Sequence, residues 1–192
     1  MDAALTIRTL TPADWPAVVA LFGERGACGG CWCMWWRVPH GGKLWESVKG
    51  APNRNGLERI VKAGQQHAVM AFAGDEPVGW CSFGPRASFP RLETVRAFRR
   101  EWHPDTWAVV CFYIHRRWRR KGVAARLLEA ATTRAFELGA GEIEGYPVIP
   151  KSGATAAAFA YTGFPAIFEA AGFEPLGTVA GAGRAMYIRR RG

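Results

Sequence analysis

The amino-acid sequence predicts an α/β (α+β) fold, with helices flanking a central mixed, mostly antiparallel sheet of about six to seven strands. Three observations predict it. Two apolar runs joined by Gly74-Asp75-Glu76 are typical of a hairpin. The aromatic run from Trp107 to Ile114 leads through a basic glycine turn into a helical pattern, which predicts a strand followed by a crossover helix. The run from Arg184 to Arg189 predicts a last strand, paired with the stretch after Phe173.

The N-terminal half alternates strand, helix and loop signals. Leu5 to Leu10 predicts a short strand, and Thr11-Pro12-Ala13-Asp14 then supplies a cap for a helix that runs to about Phe22. Gly23 to Pro39 has no clear periodicity. A second helical region from Lys43 onward places Leu57, Ile60 and Val61 on one face. This half is therefore expected to be strand, helix, unusual loop and helix.

The hairpin strands are predicted at His67 to Ala73 and Pro77 to Phe83. Gly84 to Thr106 is a long connection, part of it helical, and connections of that length are more often functional than idle. Apolar residues then repeat at helical spacing from Ala124 to Leu138, and Glu142 to Val148 predicts the strand that completes the crossover. A short helix is expected between Thr162 and Gly172.

Length and composition favour one domain over residues 1–192, since 192 residues at 49% hydrophobic can bury one good core but hardly two. No run approaches the length of a membrane helix, and the N-terminus lacks a secretion signal, so a cytoplasmic protein with no membrane partner is expected. Its five cysteines, three of them at Cys28, Cys31 and Cys33, do not resemble a secreted disulfide framework, which favours reduced thiols.

A formal net charge of +9 indicates an anionic partner, and a nucleic-acid-binding module is one candidate function. The distribution of charge matters more than the sum. The cluster from Arg116 to Lys121 flanks a glycine that opens a helix, whereas a second group (Arg96, Arg99, Arg100) and the C-terminal group do not. The C-terminal group, which is Arg184, Arg189, Arg190 and Arg191, is expected to be a solvated face.

The turn Arg119-Arg120-Lys121-Gly122-Val123-Ala124 has the construction of a phosphate site. A strand feeding a glycine turn leaves the first N–H groups of the following helix unpaired, at the positive end of the helix dipole. Gly122 has no side chain and Ala124 only a methyl, so a pyrophosphate can approach these N–H groups. The segment has neither the Gly-Lys-Ser/Thr ending of a P-loop nor the three glycines of a dinucleotide fold.

At these residues the sequence resembles the GNAT superfamily of acetyl-CoA-dependent N-acetyltransferases, whose signature is Arg/Gln-x-x-Gly-x-Gly/Ala between a strand and a helix. The likeness includes the segment from Cys111 to His115 and the closing stretch from Ile167 to Phe173. It implies a GNAT-like fold and acetyl-CoA as co-substrate. The CoA pyrophosphate would bind the six residues of the loop, Arg119, Arg120, Lys121, Gly122, Val123 and Ala124.

The resemblance also implies positions for the rest of the cofactor. The pantetheine arm would lie against Tyr113 and Ile114, and a backbone N–H near Phe112 to Ile114 would polarise the thioester carbonyl. Many family members have a tyrosine on the last short helix that protonates the CoA thiolate. Phe168 occupies that position, beside the cofactor, so this general acid is missing.

Candidates for the proton transfers are therefore weighed separately. Glu144 is the first choice of general base because the crossover places its strand beside the cofactor strand, and Glu142, Glu93 and His115 are alternatives. The candidate proton donors are Tyr161 and Tyr146, and Tyr113 is a further catalytic candidate. The alternative to a catalytic role is a solvated surface charge for the acids and the histidine, and a buried core position for the tyrosines.

The segment from Cys28 to Arg37 is open to two functional interpretations. In the resembled fold it forms a wall of the acceptor site, so Trp32, Met34, Trp35 and Trp36 would contact the acceptor. The cysteines with His40 are soft metal ligands, but no second ligand pair follows at structural-site spacing, so no metal is expected. Ordinary packing is the third possibility.

The sequence thus predicts an acyltransferase that moves an acetyl group from acetyl-CoA to a primary amine by direct attack, without a covalent enzyme intermediate. The acceptor is expected to be a small-molecule or peptide amine, with no nucleic acid, and a homodimer is possible. The alternative functions are a catalytically silent CoA-binding sensor of the same fold and the nucleic-acid-binding module.

Overall fold

The computed structural model describes residues 4–38, 43–150, 160–179 and 183–192. Within these ranges, seven strands form one mixed sheet in the order β1-β2-β3-β4-β5-β7-β6. The strands are β1 Leu5–Thr9, β2 Ala68–Ala73, β3 Glu76–Pro85, β4 Thr106–Ile114, β5 Glu142–Gly145, β6 Glu174–Val179 and β7 Arg184–Arg190. The helices are α1 Trp15–Phe22, α2 Lys43–Val48, α3 Ala51–Lys62, α4 Arg91–Thr94, α5 Val123–Glu137 and α6 Pro165–Ala170.

The sheet is antiparallel except where β4 and β5 run parallel across the α5 crossover. The predicted mixed, mostly antiparallel sheet is therefore confirmed, as are the two hairpins β2–β3 and β6–β7. All seven strands share that sheet, whereas the extent of the domain over residues 1–192 stays a prediction.

Apolar residues pack on both faces of the sheet. One face carries α1, α3 and the segment from Cys28 to Arg37, here called the tryptophan-rich loop, and its buried centre includes Trp80 and Val110. The other face carries α5 and α6, with Leu127 and Phe168 in its centre. Alternation along β4 divides its side chains between these faces, so that Phe112 points to the α5 side and Tyr113 to the side of the tryptophan-rich loop.

The first helix begins as the capping residues predict. The Thr11 N–H donates to the Asp14 carboxylate at 2.8 Å, and Pro12 occupies the first helical position. A short 3-10 turn, Pro12–Asp14, precedes α1. The long connection after β3 contains α4 and the 3-10 turns Arg86–Ser88 and Arg96–Phe98, which accounts for its partly helical pattern.

Strand β5 is shorter than predicted, ending at Gly145 rather than at Val148. Gly145 packs against the ring of Phe168 so closely that even a Cβ would overlap it. Pro147, two residues later, has no N–H to donate to a neighbouring strand, and Val148 makes only an isolated bridge to Arg184. The chain therefore leaves β4 after four paired residues.

His67 makes the stability of the fold depend on pH. Burial lowers the pKa of this imidazole, and the charges of Arg37 and Arg134 lower it further. The unfolded chain therefore binds a proton at His67 more readily than the folded chain does. The stability contributed by neutral His67 is complete above about pH 6.5, the pKa in the unfolded chain, and is lost as the pH falls through the lower folded-state pKa. Urea midpoints at about pH 7.5 and about pH 5.5 should differ less for His67→Gln than for the parent protein. His103→Gln is the control, and an unchanged pH dependence in His67→Gln would contradict this account.

Candidate active site

The loop between β4 and α5 presents a helix N-terminus to solvent. Gly122 precedes the helix with φ 75° and ψ 0°, in the left-handed region, and Arg120 two residues earlier has φ 60°. The first helical bond runs from the Arg126 N–H to the Gly122 carbonyl at 3.3 Å. The N–H groups of Val123 and Ala124 therefore have no intrahelical acceptor. An alternation of left-handed and ordinary residues before such a turn produces an anion-binding concavity.

The cations beside this turn are not neutralised by the protein. Arg119 Nε donates to the Ile114 carbonyl at 3.1 Å, and Lys121 Nζ lies 5.0 Å from the centre of the Trp118 ring. Among the described residues, neither of these side chains nor that of Arg120 has a carboxylate within ion-pair distance. The loop therefore combines free N–H donors with unpaired positive charge, as the sequence predicts for a pyrophosphate site.

Strand β4 has an open edge beside this loop. It pairs with β5 only from Thr106 to Val109, and β5 then ends, so no strand of the described residues pairs with the second half of β4 on that side. The Phe112 N–H points to this edge, where it donates to the Tyr161 carbonyl at 2.6 Å. Backbone groups repeat every two residues along a strand, so the N–H of Ile114 points to the same edge. Of the predicted oxyanion donors, Ile114 is thus the one that the Tyr161 carbonyl leaves available.

Glu144 lies at the centre of a buried ion-pair network. Its side chain is fully buried, as is that of Arg86, whose Nε donates to it at 3.0 Å. Arg100 also donates to this carboxylate, as does the hydroxyl of Tyr146. Burial, followed by the charge of Glu144, raises the pKa of Tyr146 well above its ordinary value. Both oxygens of this carboxylate are thus occupied by hydrogen bonds within the protein, which leaves neither open to a substrate amine.

Tyr161 lies where the open edge meets the face of the tryptophan-rich loop. Its carbonyl accepts a hydrogen bond from β4, and its ring centre is 6.5 Å from that of Trp36. Arg184 Cζ lies 4.8 Å from the same ring. Burial raises the pKa of Tyr161, which keeps the hydroxyl protonated at neutral pH, although Arg184 and Arg91 act in the opposite direction.

The tryptophan-rich loop divides into a buried and a half-buried part. Trp32 is 4% exposed, between Trp15 and Phe22, and Trp36 is 2% exposed, stacked on Tyr146. Met34 and Trp35 are half-buried, and the Arg91 guanidinium lies 3.5 Å from the centre of the Trp35 ring. Trp32 and Trp36 are consequently core residues here, and the predicted acceptor surface is reduced to Met34 and Trp35.

Backbone strain is concentrated in the same loop. Three of the four non-glycine residues with positive φ in the described chain are Ala27, Trp32 and Cys33, and a π-turn occupies Gly26–Gly30. Such strain persists where surrounding packing enforces it, and it is found preferentially at ligand sites. The described residues contain no group of three or more His, Cys, Asp or Glu placed to hold a metal ion, and His40 lies outside them.

Cys33 occupies a polar pocket inside that packing. The indole N–H of Trp80 donates to its sulfur at 3.2 Å. Burial acts to raise the pKa of Cys33, but hydrogen bonds from Cys111, Trp80 and Ser82 and the charge of Arg37 lower it below its ordinary value. All five cysteines are free thiols, as predicted.

Residues 32–164 match the sequence model of the Acetyltransferase (GNAT) family. The chain belongs to the GNAT acetyltransferase family. Members of this family use acetyl-CoA as co-substrate, so the acyl donor implied by the resemblance is confirmed, and the protein is an acyltransferase by family. No curated protein sequence matches the chain.

Solved structures of other GNAT proteins share the fold across nearly the whole chain. PaiA N-acetyltransferase of Thermoplasma acidophilum, in complex with coenzyme A, is 14% identical with a TM-score of 0.57, over 98% of this chain and 99% of that one. An N-acetyltransferase of Staphylococcus aureus Mu50 is 14% identical with a TM-score of 0.59, over 97% and 98%. YncA of Salmonella typhimurium, with its cofactor acetyl-CoA, is 14% identical with a TM-score of 0.57, over 97% and 94%.

Phe168, at the position where many GNAT enzymes have a tyrosine, lies in the core instead of at the expected place beside the cofactor. Its side chain is fully buried on the α5 side, with ring centres 6.4 Å from Phe112 and 5.2 Å from Phe173. It offers no exposed surface to a cofactor in this structure. The aromatic ring packs α6 against the sheet, and its position beside Gly145 helps to separate β5 from β4.

The GNAT site also contains residues that no sequence pattern predicts. Arg91 and Arg184 both lie beside Tyr161, and Arg86 holds Glu144. The sequence places Arg184 on a solvated C-terminal face, but it is half-buried and donates to the Thr162 hydroxyl. No local pattern distinguishes these arginines from surface charges, because their neighbours in space come from distant parts of the chain. Among the described residues, no helix has the length and apolarity needed to cross a membrane.

Proposed function

We propose that the protein is an N-acetyltransferase that transfers the acetyl group of acetyl-CoA to a primary amine by direct attack on the thioester. The observation that carries the proposal is the junction of the Arg119 to Ala124 loop with the open edge of β4. Free helical N–H groups and unpaired cations suit a pyrophosphate, and the edge next to them suits an extended amide-bearing arm.

The cofactor would run from the loop along β4. Its pyrophosphate accepts from the N–H groups at the start of α5, and Arg119, Arg120 and Lys121 add charge. The pantetheine amides then pair with the edge that β5 leaves open, between Ile114 and Phe112. The thioester carbonyl accepts from a backbone N–H there, with Ile114 as the available donor.

The amine would lose its proton to water rather than to Glu144, since that carboxylate is bound in its buried network. Positive charge near the site supports this route, because neighbouring cations favour the neutral form of an amine. Tyr161 is the best-placed donor to the departing CoA sulfur, since it lies at the open edge and stays protonated at neutral pH.

Tyr161→Phe is expected to lower kcat about tenfold or more at neutral pH, with little change in the dissociation constant for acetyl-CoA. The deficit should shrink above the thiol reference pKa of about 8.5, where CoA leaves as a thiolate without help. Steady-state CoA release from about pH 7 to about pH 9.5 measures both effects. A constant deficit across that range would contradict the role, and the same pH signature in Tyr113→Phe instead would transfer it to Tyr113.

The proposed function itself is tested by calorimetric titration with acetyl-CoA and CoA, followed by thiol release against a panel of primary amines. Binding with amine-dependent release supports it, and mass spectrometry of the product identifies the acylated nitrogen. Acylation of a hydroxyl in place of the amine would refute the N-acetyl assignment.

One observation favours a second candidate, a CoA-binding sensor without catalysis. Phe168 stands where many GNAT enzymes have their general acid, and it is fully buried. A sensor would bind acetyl-CoA yet never release CoA with any amine. The expected cytoplasmic location and the homodimer stay predictions.

A further inference from the structure

Two arginines from distant elements approach Tyr161. Arg184 begins β7, and its Cζ lies 4.8 Å from the centre of the Tyr161 ring. Arg91 begins α4, and its backbone N–H donates at 3.2 Å to the carbonyl of Trp36, whose ring centre is 6.5 Å from that of Tyr161. The Arg91 guanidinium also lies over Trp35, with its Cζ 3.5 Å from the ring centre. Both arginines therefore belong to the surroundings of Tyr161, the residue proposed to protonate the departing CoA sulfur.

Neither arginine has an anionic partner within the described ranges. Other arginines of the chain show the contrast, because Arg86, Arg100 and Arg117 each pair with a carboxylate. Within the part of the chain that the structure describes, Arg184 donates only to neutral oxygens, the Thr162 hydroxyl and the Tyr146 carbonyl. The guanidinium of Arg91 makes no hydrogen bond to a described residue, and its protein contact is the Trp35 ring.

Both side chains are half-buried, so their charges have lost part of their hydration. A cation in that position is stabilised by an anion that binds it, and a guanidinium matches a carboxylate with paired hydrogen bonds. The carboxylates of the surrounding elements are already paired, Glu93 with Arg86 and both Glu144 and Glu142 with Arg100. A bound ligand is therefore the available source of an anion for these two arginines.

The position of the two arginines relates them to the acceptor. The Tyr161 carbonyl is 2.6 Å from the Phe112 nitrogen on the open edge of β4, where the thioester is proposed to lie. A group bound between the arginines is therefore close to the carbonyl that the amine attacks. A polycationic acceptor would be repelled here, whereas an amine with a nearby carboxylate is both attracted and oriented.

We infer that the acceptor is a small amino acid, a primary amine whose own carboxylate is bound by Arg91 and Arg184 near Tyr161. The inference rests on the proposed N-acetyltransferase function and names the substrate class of that site. Trp35, under the Arg91 guanidinium, supplies an apolar surface for the acceptor side chain. In this arrangement Arg91 and Arg184 determine specificity and take no part in proton transfer.

The test compares amino acids with their amides, which keep the amine and side chain and lose the negative charge. Phenylalanine, tryptophan, methionine and leucine, each with its amide, are assayed for CoA release from acetyl-CoA and for calorimetric binding to CoA-saturated protein. At least one acid should exceed its amide about 10- to 100-fold in kcat/KM or in affinity, the usual effect of a charge-assisted hydrogen bond. Equal values in every pair, or binding of no probe, would overturn the inference.

Arg91→Gln provides the decisive variant because its guanidinium supports no described hydrogen bond within the protein. The acid-to-amide ratio should fall to near one through loss of activity on the acid alone, with acetyl-CoA affinity unchanged. Arg59→Gln, an exposed charge loss on α3, is the matched control and should keep the ratio of the parent protein. An undiminished ratio in Arg91→Gln would also overturn the inference.

Failure of the proposed function gives a different result. In that case acetyl-CoA is not cleaved with any acid or amide, while the calorimetric comparison still decides whether the two arginines bind a carboxylate. Arg184→Gln is the secondary variant, used only with thermal unfolding as a check, because Arg184 also bonds to Thr162.

Discussion

Gly122→Asp is expected to weaken acetyl-CoA binding by at least about a hundredfold while the protein stays folded. The aspartate would introduce a carboxylate where the pyrophosphate is proposed to accept from the first N–H groups of α5, so like charges would meet. A Cβ at Gly122 would have open space within 4 Å, so the new side chain meets only the ligand position. Isothermal titration with acetyl-CoA measures the effect.

Backbone strain has to be separated from charge in this experiment, because Gly122 has φ 75° and any other residue is disfavoured there. Gly139, just after the C-terminal end of α5, also has positive φ and open space where a Cβ would lie. Gly122→Ala and Gly139→Ala should therefore lose similar small amounts of stability. Acetyl-CoA affinity close to that of the parent in Gly122→Asp would remove the loop from the cofactor site.

Glu144→Ala is expected to destabilise the fold by about 3 to 5 kcal/mol, because it leaves the fully buried Arg86 without its buried counter-ion. Urea unfolding measures the loss. Glu93→Ala is the matched control, since Glu93 is the exposed partner of the same arginine and its side chain is 47% accessible. That variant should lose much less, as expected of a solvated carboxylate.

A second substitution at this position decides between two roles for Glu144. If the residue is structural, Glu144→Gln should lower stability and activity together, with no selective effect on kcat. A stable Glu144→Gln protein that binds acetyl-CoA normally but releases CoA far more slowly would restore Glu144 as general base.

The fold is largely predictable because its strands and helices carry regular apolar patterns. The β4–loop–α5 unit combines an aromatic strand, a glycine at a left-handed position and an apolar helical repeat, all of them local signals. The hairpins follow from their turn residues in the same way. The proposed cofactor loop is therefore the part of the site that sequence describes best.

The proposed acceptor side is less predictable because it is assembled from distant segments. Arg91, Tyr161 and Arg184 come from three separate parts of the chain, and nothing in the residues around any of them indicates the others. Burial of Trp32 and Trp36 depends on how the strained loop folds back on the sheet, and positive φ at Trp32 contradicts the usual preference of that residue. Glu144, favoured for its strand position, is likewise bound to arginines that sequence alone cannot place.

The open edge of β4 is the part of the sheet on which the cofactor is proposed to lie. Exposed strand edges invite pairing with strands of other molecules, and many proteins cover them. With the pantetheine arm lying along this edge, as proposed, the ligand completes a gap in the middle of the sheet. Saturation at a hundred times the dissociation constant would add about 2.7 kcal/mol to the free energy of unfolding. Purification without CoA is then expected to yield protein more prone to self-association, and adding CoA during storage should suppress it.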